Sequence, residues 1–347
     1  MKRKRIAIIF GGKSAEHEVS IHSAKNVVAA LNKEKYEKIL IKIEKNGEWK
    51  CLNDAYEEDR TKRIVPCDHQ GDFSVFDHET RLHIDVVFPV LHGPYGEDGS
   101  IQGLLKIANI AFVGAGVLGS AIGMDKGVMK RLLREKGLLI GDFIVVRYGE
   151  KIIFTDIAKK LGSEFFVKPA NLGSSVGISK VCDEKSFEKA IELAFSYDNK
   201  VIIEKSILGR EIECSVLGNN KPRASRCGEI VPKKNFYSYE SKYTDGGADL
   251  IIPAKIDAEI EKEIQSLAVK VYETLECSGM GRVDFFLTED HKIFINEINT
   301  IPGFTAQSMY PQLWEISGLK YANLIDKLIQ LAEEKYAENR RLLSHKI

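Results

Sequence analysis

The sequence predicts an α/β protein made of more than one domain. Its 347 residues exceed what one hydrophobic core usually holds, so two or three domains are expected. The N-terminus has the pattern strand–helix–strand, with IAIIF at 6–10, a helical stretch to about Leu31 and KILIKIEK at 38–45. A lysine followed by a Gly/Ser loop, at residues 168–177, adds a pattern typical of phosphate binding.

Two further apolar runs continue the N-terminal pattern, DVVFPVL at 85–91 and IAFVG at 110–114. Repeated strands with helical connections predict a parallel sheet, so residues 1–118 are expected to form an α/β domain. Residues 47–82 are polar and weakly patterned, and we interpret them as an insertion between elements.

The remainder of the chain predicts two more units. Residues 119–209 contain a short basic helix, several strands and the helix SFEKAIELAFSYD. Residues 210–347 contain two strands, a polar segment at about 234–249, an amphipathic helix at 257–276, a hairpin at 281–299 and a C-terminal helix from about 319. Interfaces between such units are where ligand sites tend to form.

Composition limits the partners of the protein. Lys+Arg and Asp+Glu each number 50, so no net charge favours nucleic acid or a membrane surface. No apolar run reaches the roughly 18 residues of a membrane span, and the first apolar run is too short for a signal peptide. Six scattered cysteines without a CxxC pair are typical of reduced thiols. We therefore expect a cytoplasmic protein that binds neither nucleic acid nor membrane.

The segment FVKPANLGSSVGISK, residues 166–180, has the features of half a phosphate site. An apolar strand delivers Lys168, and the following loop is rich in Gly and Ser. Such a loop lets backbone N–H groups approach phosphate oxygens closely, while the lysine adds positive charge. The loop therefore predicts binding of a phosphorylated ligand.

The hairpin GRVDFFLTEDHKIFINEIN, residues 281–299, has the features of the other half. With a turn at Glu289-Asp290, Arg282 would oppose Glu297 and Asp284 would oppose Ile295. Arg282, Asp284, Glu297 and Asn299 would then share one face of the sheet, because side chains at i and i+2 do so. Two carboxylates and an amide oxygen suit Mg²⁺. The alternative is a solvated strand face with an Arg–Glu pair, but the lysine loop favours an ATP–magnesium site.

A formal GxGxxG at residues 114–119 suggests a different class of protein, a NAD-dependent dehydrogenase. No acidic residue ends a second strand at the expected distance of about 20 residues. We interpret these glycines as a tight interdomain connection, and the dehydrogenase alternative leaves the hairpin unexplained.

Eight segments taken together resemble the D-alanine–D-alanine ligase family, ATP-grasp carboxylate–amine ligases of peptidoglycan precursor synthesis. In chain order they are GGKSAEHEVS (11–20), HGPYGEDGSIQG (92–103), MDK (124–126), KPANLGSSVG (168–177), EKSILGREIE (204–213), YESKY (239–243), GRVD (281–284) and NEINTIPGFTAQSMYP (296–311). The resemblance covers nearly the whole chain. It implies a three-domain ATP-grasp fold, a homodimer, ATP as a substrate and two Mg²⁺ or Mn²⁺ ions.

The resemblance also implies roles for residues around the nucleotide. Lys126 and Lys168 are similar to the family's phosphate-binding lysines, and Ser174 and Ser175 lie in its phosphate-covering loop. The remaining nucleotide and metal positions are Glu204, Lys205 and Ile207 for adenine, Glu211 for ribose, and Asp284, Glu297 and Asn299 for two metal ions.

Around the amino-acid substrates, the resemblance assigns Arg282 and the Gly303 N–H to the tetrahedral intermediate. Glu16 would hold the ammonium of the first substrate, linked to Ser174 and Tyr243, with His92 nearby. The cradle for the carboxylate of the second substrate would comprise Lys242, Ser308 and the Met309 backbone, under a lid at about 234–249. Met309 stands where leucine is common in the family, but only its backbone is expected to act.

The same motifs are also compatible with two other functions. A related ligase would place D-lactate or D-serine second, but Tyr243 favours D-alanine because D-lactate-forming members tend to have Phe or His there. A regulatory binder without catalysis is disfavoured because every charged role is filled.

Overall fold

The structure of the protein, a computed structural model, describes residues 3–68, 71–233 and 248–342. Its strands form four sheets, and nine helices are described. We number strands β1–β17 and helices α1–α9 along the described chain.

The N-terminal sheet has the strand order β3-β2-β1-β7-β8. Its elements are β1 (Lys4–Gly11), α1 (His17–Ala30), β2 (Tyr36–Ile43), β3 (Trp49–Leu52), β7 (Val86–Val90), α2 (Ser100–Ile107) and β8 (Ala111–Phe112). Four strands run parallel and only β3 is antiparallel. Ile6, Ala7, Ile8 and Ile9 are fully buried, the continuous burial expected of a parallel strand covered on both faces. The predicted parallel sheet is confirmed.

The segment at 47–82 is more ordered than its sequence pattern indicated. Besides β3, it contains a small antiparallel sheet of β4 (Lys62–Val65), β5 (Ser74–Asp77) and β6 (Thr80–Leu82). These strands have only three or four residues, too few for an alternating pattern to be recognised. Buried Phe73 and Val75 attach the small sheet to the N-terminal core.

The central sheet is antiparallel, with the order β11-β10-β12-β9. Its elements are β9 (Phe143–Arg147), α5 (Phe154–Leu161), β10 (Phe165–Pro169), β11 (Ser179–Val181), α6 (Glu184–Phe195) and β12 (Lys200–Lys205). Helix α6 begins at a capping box, in which Asp183 and Ser186 satisfy each other's backbone N–H groups. Phe165 and Phe187 pack edge to face beneath the sheet. This sheet presents Lys168 on β10 and Glu204 on β12.

The C-terminal sheet has the order β15-β14-β13-β16-β17 and is also antiparallel. Its elements are β13 (Arg210–Gly218), β14 (Arg223–Pro232), β15 (Ala248–Ile251), α7 (Ala258–Thr274), β16 (Gly279–Leu287) and β17 (Ile293–Asn299). The predicted amphipathic helix and hairpin are confirmed as α7 and β16–β17. Helix α7 covers one face with buried Ile264, Ala268 and Val271, which leaves the other face for the site.

Hydrophobic cores continue across the expected domain boundaries. The remaining helices are α3 (Val117–Met124), α4 (Lys126–Glu135), α8 (Met309–Ile316) and α9 (Tyr321–Arg340). Met129 and Leu133 of α4 pack into the core of the C-terminal sheet. Leu324 and Leu328 of α9 pack into the N-terminal core beside Ile8. The boundaries at 118 and 209 therefore stay a prediction, since packing does not stop at either point.

Candidate active site

A cavity of about 440 Å³ lies between the central and C-terminal sheets. All seven residues that the sequence assigns to nucleotide binding line it, together with two others from the candidate site. They are Lys126, Lys168, Ser175, Glu204, Lys205, Ile207 and Glu211, with Ser174 and Glu297. Elements from three separate stretches of the chain therefore meet at one concave site.

Two lysines bring positive charge to this cavity. Lys126 begins α4, where Asp125 caps the helix by accepting a bond from the Val128 N–H. The Lys126 ammonium donates to the Leu172 carbonyl at 2.7 Å and lies 3.3 Å from Glu297 Oε2. The Lys168 ammonium lies 2.6 Å from Glu204 Oε2. Both side chains are almost fully buried, so their charges are only weakly screened by solvent.

The Gly/Ser loop between β10 and β11 has an unusual backbone. Ser174 and Ser175 have φ angles of 51° and 61°, a conformation that residues with a Cβ seldom adopt. The Ser174 hydroxyl donates to Glu16 Oε1 at the start of α1. A Cβ on Gly93 would come within 2.9 Å of Glu16 Oε2, so this glycine makes room for the carboxylate. The predicted link between Glu16 and Ser174 is confirmed.

The hairpin register differs from the prediction. Arg282 pairs with Asn299 and Asp284 pairs with Glu297, so the expected pairs Arg282–Glu297 and Asp284–Ile295 are wrong. The loop between the strands spans residues 288–292 instead of two residues, and a bulge follows Asp284. The pairing next to the site is displaced by two residues. A displacement by an even number of residues keeps each side chain on the same face of the sheet. The hairpin therefore still places Arg282, Asp284, Glu297 and Asn299 on one face, as predicted.

That face of the C-terminal sheet is rich in carboxylates. Glu213 on β13 lies opposite Asp284 on β16, which in turn lies opposite Glu297 on β17. Arg282 donates to both oxygens of Asp284, at 2.7 and 2.8 Å, and its Nε lies 2.9 Å from Glu213 Oε2. Asn299 Nδ2 donates to Asp284 at 3.0 Å. Burial opposes the charge on Arg282, but Asp284 and Glu213 outweigh it and raise the pKa of the guanidinium.

His92 is buried and holds two loops together. Its Nδ1 lies 3.1 Å from the Ile301 carbonyl, which can only accept, so Nδ1 carries the proton. Its Nε2 lies 3.2 Å from Ser23 Oγ, and that hydroxyl accepts from the Phe304 N–H. Burial lowers the pKa of His92, consistent with a neutral ring in this chain of bonds. Contact between His92 and a substrate stays a prediction, since both ring nitrogens have partners in the protein.

Glu97 is a site residue that the sequence analysis did not single out. Its carboxyl accepts bonds from the Gly93 N–H at 2.8 Å and the Ile301 N–H at 3.2 Å. It thus links the loop after β7 to the loop after β17. Burial, followed by the negative charge of Glu16, raises the pKa of Glu97 to about 8. Its place within HGPYGEDG, between glycines after a strand, was the available signal.

Two more charged residues were missed. Lys130 lies one turn after Lys126 on α4 and is buried, with its ammonium 2.9 Å from Glu204 Oε1. Glu213, described above, lies two residues after Glu211 on β13. The i, i+4 spacing of the lysines and the i, i+2 spacing of the glutamates already placed each pair on one face.

The loop from β17 to α8 brings together the remaining described residues of the predicted site. A Cβ on Gly303 would come within 2.7 Å of Ser308 Oγ, so the glycine lets the loop fold tightly. Ser308 precedes the first turn of α8, and its hydroxyl accepts from the Thr305 N–H at 3.0 Å. The Met309 side chain is buried with Ile230 and Leu313. The Met309 side chain is therefore enclosed by protein, and a role for its backbone stays a prediction.

Lys242 and Tyr243 lie outside the described residues, as does the expected lid except for Ala248 and Asp249, which belong to β15.

The glycines at 114–119 have a packing explanation. A Cβ on Gly119 would come within 2.6 Å of the Glu276 carbonyl, and Gly114 packs against the backbone of Gly279. The turn is thus pressed against the C-terminal sheet. The interpretation as a tight connection fits, and no dinucleotide is needed to account for these residues.

The fold and the site together define an ATP-grasp ligase: two antiparallel sheets enclose a lysine-lined cavity that faces an acidic hairpin. Two family models match the chain, D-ala D-ala ligase N-terminus over residues 5–115 and D-ala D-ala ligase C-terminus over residues 132–330. The chain belongs to the D-alanine–D-alanine ligase family.

Two named relatives are similar in sequence to this chain over nearly its whole length. D-alanine–D-alanine ligase A of Salmonella typhimurium is 48% identical over 361 residues, covering 99% of each chain. The Escherichia coli K12 protein of the same name is 49% identical over 360 residues, again covering 99% of each.

Among solved structures, the D-alanine–D-alanine ligase of Coxiella burnetii is similar with a TM-score of 0.89 and 37% identity, covering 99% of this chain and 98% of that one. The VanG D-Ala:D-Ser ligase of Enterococcus faecalis has a TM-score of 0.86 and 38% identity, covering 95% and 100%. A Bacillus anthracis D-alanine–D-alanine ligase complexed with ATP has a TM-score of 0.76 and 29% identity, covering 97% and 99%.

Within the described ranges, none of the helices is long and apolar enough to cross a membrane. The described part of the chain also lacks a preformed group of three or more His, Cys, Asp or Glu side chains arranged to hold a metal ion.

Proposed function

We propose that this protein joins two D-alanine molecules into D-alanyl-D-alanine for peptidoglycan precursors, at the expense of ATP. The observation that carries the proposal is the cavity itself. Buried lysines line one side and Glu297 of the hairpin lines the other, 3.3 Å from Lys126, while Arg282 projects from the same hairpin face as Glu297. Glu16 contacts Ser174 of the Gly/Ser loop.

In the first step, a carboxylate oxygen of the first D-alanine attacks the γ-phosphorus of ATP. The bond between the γ-phosphorus and the β–γ bridging oxygen breaks, so ADP is the leaving group and an acyl phosphate of D-alanine is formed. Phosphoryl transfer of this kind depends mostly on positioning and charge neutralisation. Lys126 and Lys168 supply positive charge where burial keeps it weakly screened, and the Gly/Ser loop supplies backbone N–H donors.

In the second step, the amine of the second D-alanine attacks the acyl carbon. The tetrahedral intermediate carries an oxyanion, and phosphate then leaves as the carbon–oxygen bond breaks. Arg282 and the Gly303 N–H stabilise that oxyanion. The guanidinium is held in place by Asp284 and Glu213 before the reaction starts, so little reorganisation is required.

The residues of the hairpin fit magnesium or manganese. Asp284, Glu297 and Asn299 project from one face, and hard oxygen ligands of this type suit such ions when phosphate oxygens complete the shell. In the structure, Lys126 forms an ion pair with Glu297 and Arg282 forms one with Asp284. When bound, two such ions would neutralise negative charge on the phosphates.

Adenine would lie against β12 and the residues that follow it. Glu204 Oε1 accepts no aligned hydrogen bond within the described part of the chain, although the Lys130 charge lies 2.9 Å away. A buried acceptor of this kind suits the exocyclic amine of adenine. Lys205 and Ile207 continue the same wall, and Glu211 follows for the ribose hydroxyls.

The two amino acids would lie on either side of Arg282. Glu16, bonded to Ser174, holds the ammonium of the first D-alanine, with His92 fixing the adjoining loop. Ser308 and the first N–H groups of α8 receive the carboxylate of the second, since helix N-termini favour anions. Lys242 and Tyr243 complete that cradle on the basis of the family resemblance.

We place this reaction in the cytoplasm, where ATP is available and the six free cysteines stay reduced. A homodimer is part of the same proposal.

Phosphate release from ATP, measured separately with D-alanine, L-alanine, D-lactate and D-serine, tests the function. We expect release and a dipeptide product with D-alanine alone, and no release with L-alanine. The similarity to a D-Ala:D-Ser ligase makes a mixture of D-alanine and D-serine an informative further arm. A product dominated by D-alanyl-D-serine would overturn the assignment of the second substrate.

A further inference from the structure

Lys130 is a buried charge to which the proposed reaction gives no role. Its side chain is only 4% exposed, and it lies on α4 one turn beyond Lys126. Burying a lysine is costly unless the charge is paired. The partner of Lys130 should therefore indicate what the residue does.

That partner is Glu204, which Lys130 shares with Lys168. The Lys130 ammonium lies 2.9 Å from Oε1 and the Lys168 ammonium lies 2.6 Å from Oε2. All three side chains line the cavity proposed for ATP. One buried carboxylate thus serves two buried ammonium groups.

The charges respond to this arrangement in different ways. Burial opposes ionisation of Glu204, but the two lysines outweigh it and lower the pKa of the carboxyl to about 2. Burial opposes the charge on Lys168, yet Glu204 outweighs it and raises the pKa of Lys168. For Lys130, burial prevails and lowers its pKa. Glu204 is therefore an anion that binds Lys168 tightly.

A tight pair between Lys168 and Glu204 conflicts with the proposed role of Lys168. To reach an ATP phosphate, the Lys168 ammonium must leave a carboxylate at 2.6 Å. If Lys168 were the only partner, its departure would leave Glu204 as an uncompensated buried charge, which is strongly unfavourable. A second cation beside Glu204 removes that obstacle.

We propose that Lys130 is a positioning residue that remains paired with Glu204 and so releases Lys168 to bind the phosphates of ATP. Lys130 acts through Glu204 and Lys168 and does not itself contact the phosphates. The inference rests on the proposed function only in taking ATP as the ligand of this cavity.

The test is a double-mutant cycle of Lys130→Met and Glu204→Gln, with ATP affinity measured by titration calorimetry. In the parent protein, Lys130→Met should weaken ATP binding at least about tenfold, because Lys168 stays bound to Glu204. In the Glu204→Gln background the carboxylate that holds Lys168 at 2.6 Å is gone, so adding Lys130→Met should weaken binding less than about twofold. An equal loss in both backgrounds, or no loss in either, overturns the inference.

A series of ligands separates this role from direct contact with the nucleotide. Lys130→Met should leave the affinity for adenosine nearly unchanged and should reduce affinity once the ligand carries the phosphates that Lys168 reaches. An equal loss for adenosine and ATP would show that Lys130 touches the base or only supports the fold.

Two variants serve as controls. Lys130→Arg keeps the cation beside Glu204 and should retain most of the ATP affinity. Lys136→Met removes an exposed lysine just beyond the same helix and should change little. Lys130→Gln, neutral but still a hydrogen-bond donor, replaces Lys130→Met if the latter does not fold. Because binding is measured without D-alanine, a failed ligation assay would sink the proposed function and leave this test intact.

Discussion

The two walls of the cavity solve opposite electrostatic problems. On the central-sheet wall, Lys130 and Lys168 share the single carboxylate of Glu204, so positive charge is in excess. The hairpin wall, where Glu297 lines the cavity, continues along the same sheet face to Arg282, which is shared by Asp284 and Glu213, so negative charge is in excess. The excess positive charge of the first wall suits the phosphates of a nucleotide, and the excess negative charge of the second wall suits metal cations. ATP with magnesium would neutralise both.

The difference also concerns rigidity. Arg282 is fixed by bidentate bonds to Asp284 within one strand, a geometry suited to stabilising a transition state. Within residues 3–68, 71–233 and 248–342, the Lys168 ammonium forms an ion pair with one carboxylate, on a neighbouring strand, and its long side chain can move toward a ligand. The comparison predicts that changes on the hairpin wall reduce turnover, whereas changes on the lysine wall reduce nucleotide affinity.

Arg282→Met should have the largest effect on the reaction. Losing one preorganised oxyanion donor costs about 100- to 1,000-fold in kcat, while the KM for ATP should change little. Steady-state kinetics with both substrates varied would measure this split. Arg60→Met, at an exposed arginine far from the cavity, is the matched control. A variant impaired only in KM would place Arg282 among the binding residues and would break the comparison.

Glu297→Gln should follow, with turnover reduced at least about 100-fold, because it removes a metal ligand and leaves Lys126 without its carboxylate partner. Phosphate release reports the loss, and Mn²⁺ binding in the presence of ADP reports the site directly. Glu289→Gln, at the exposed hairpin turn, should behave like the parent. Near-parental activity together with unchanged Mn²⁺ binding in Glu297→Gln would contradict the metal assignment.

Glu97→Gln should alter the dependence of stability on pH. The pKa of Glu97 is about 8 in the folded protein, above the ordinary value of 4.5. Between those values the folded carboxyl keeps a proton that the unfolded chain has lost. Raising the pH through this range therefore favours unfolding, and that contribution is complete above about pH 8. Denaturant unfolding at pH 6 and pH 9 should show a smaller decrease for Glu97→Gln than for the parent; an identical decrease would refute the shift.

Met309→Leu should have the smallest effect. The side chain is buried among Ile230 and Leu313, and exchanges between Met and Leu of this kind usually cost less than about 1.5 kcal/mol. Activity and the preference between D-alanine and D-serine should remain within about twofold of the parent. A changed preference would show that the side chain, and not only the backbone, faces the second substrate.

How far the sequence could predict this molecule depended on the kind of signal. Continuous apolar runs such as 6–10 gave the parallel sheet, because burial on both faces leaves an unmistakable pattern. The sequence correctly predicted which hairpin side chains share a face of the sheet, although it did not predict the strand register. A register shift by an even number of residues leaves every side chain on its face. The loop length and the bulge after Asp284 depend on local backbone geometry that no residue pattern specified.

Partners of charged residues were the least predictable feature. Lys130, Glu213 and Glu97 have no motif of their own, and their roles depend on strands and helices distant in sequence. Lys130 is 74 residues from Glu204, and Glu97 is 204 residues from Ile301. Such contacts appear only when tertiary packing places the elements together.

The central claim, that the first D-alanine is activated as an acyl phosphate between these walls, has a direct isotopic test. D-alanine labelled with ¹⁸O in its carboxylate is incubated with ATP, magnesium and the enzyme, and the released phosphate is analysed by mass spectrometry. We predict one labelled oxygen in phosphate for each dipeptide formed, because the attacking carboxylate oxygen leaves with the phosphoryl group. Dipeptide formation with unlabelled phosphate, or with the label in AMP, would contradict the account.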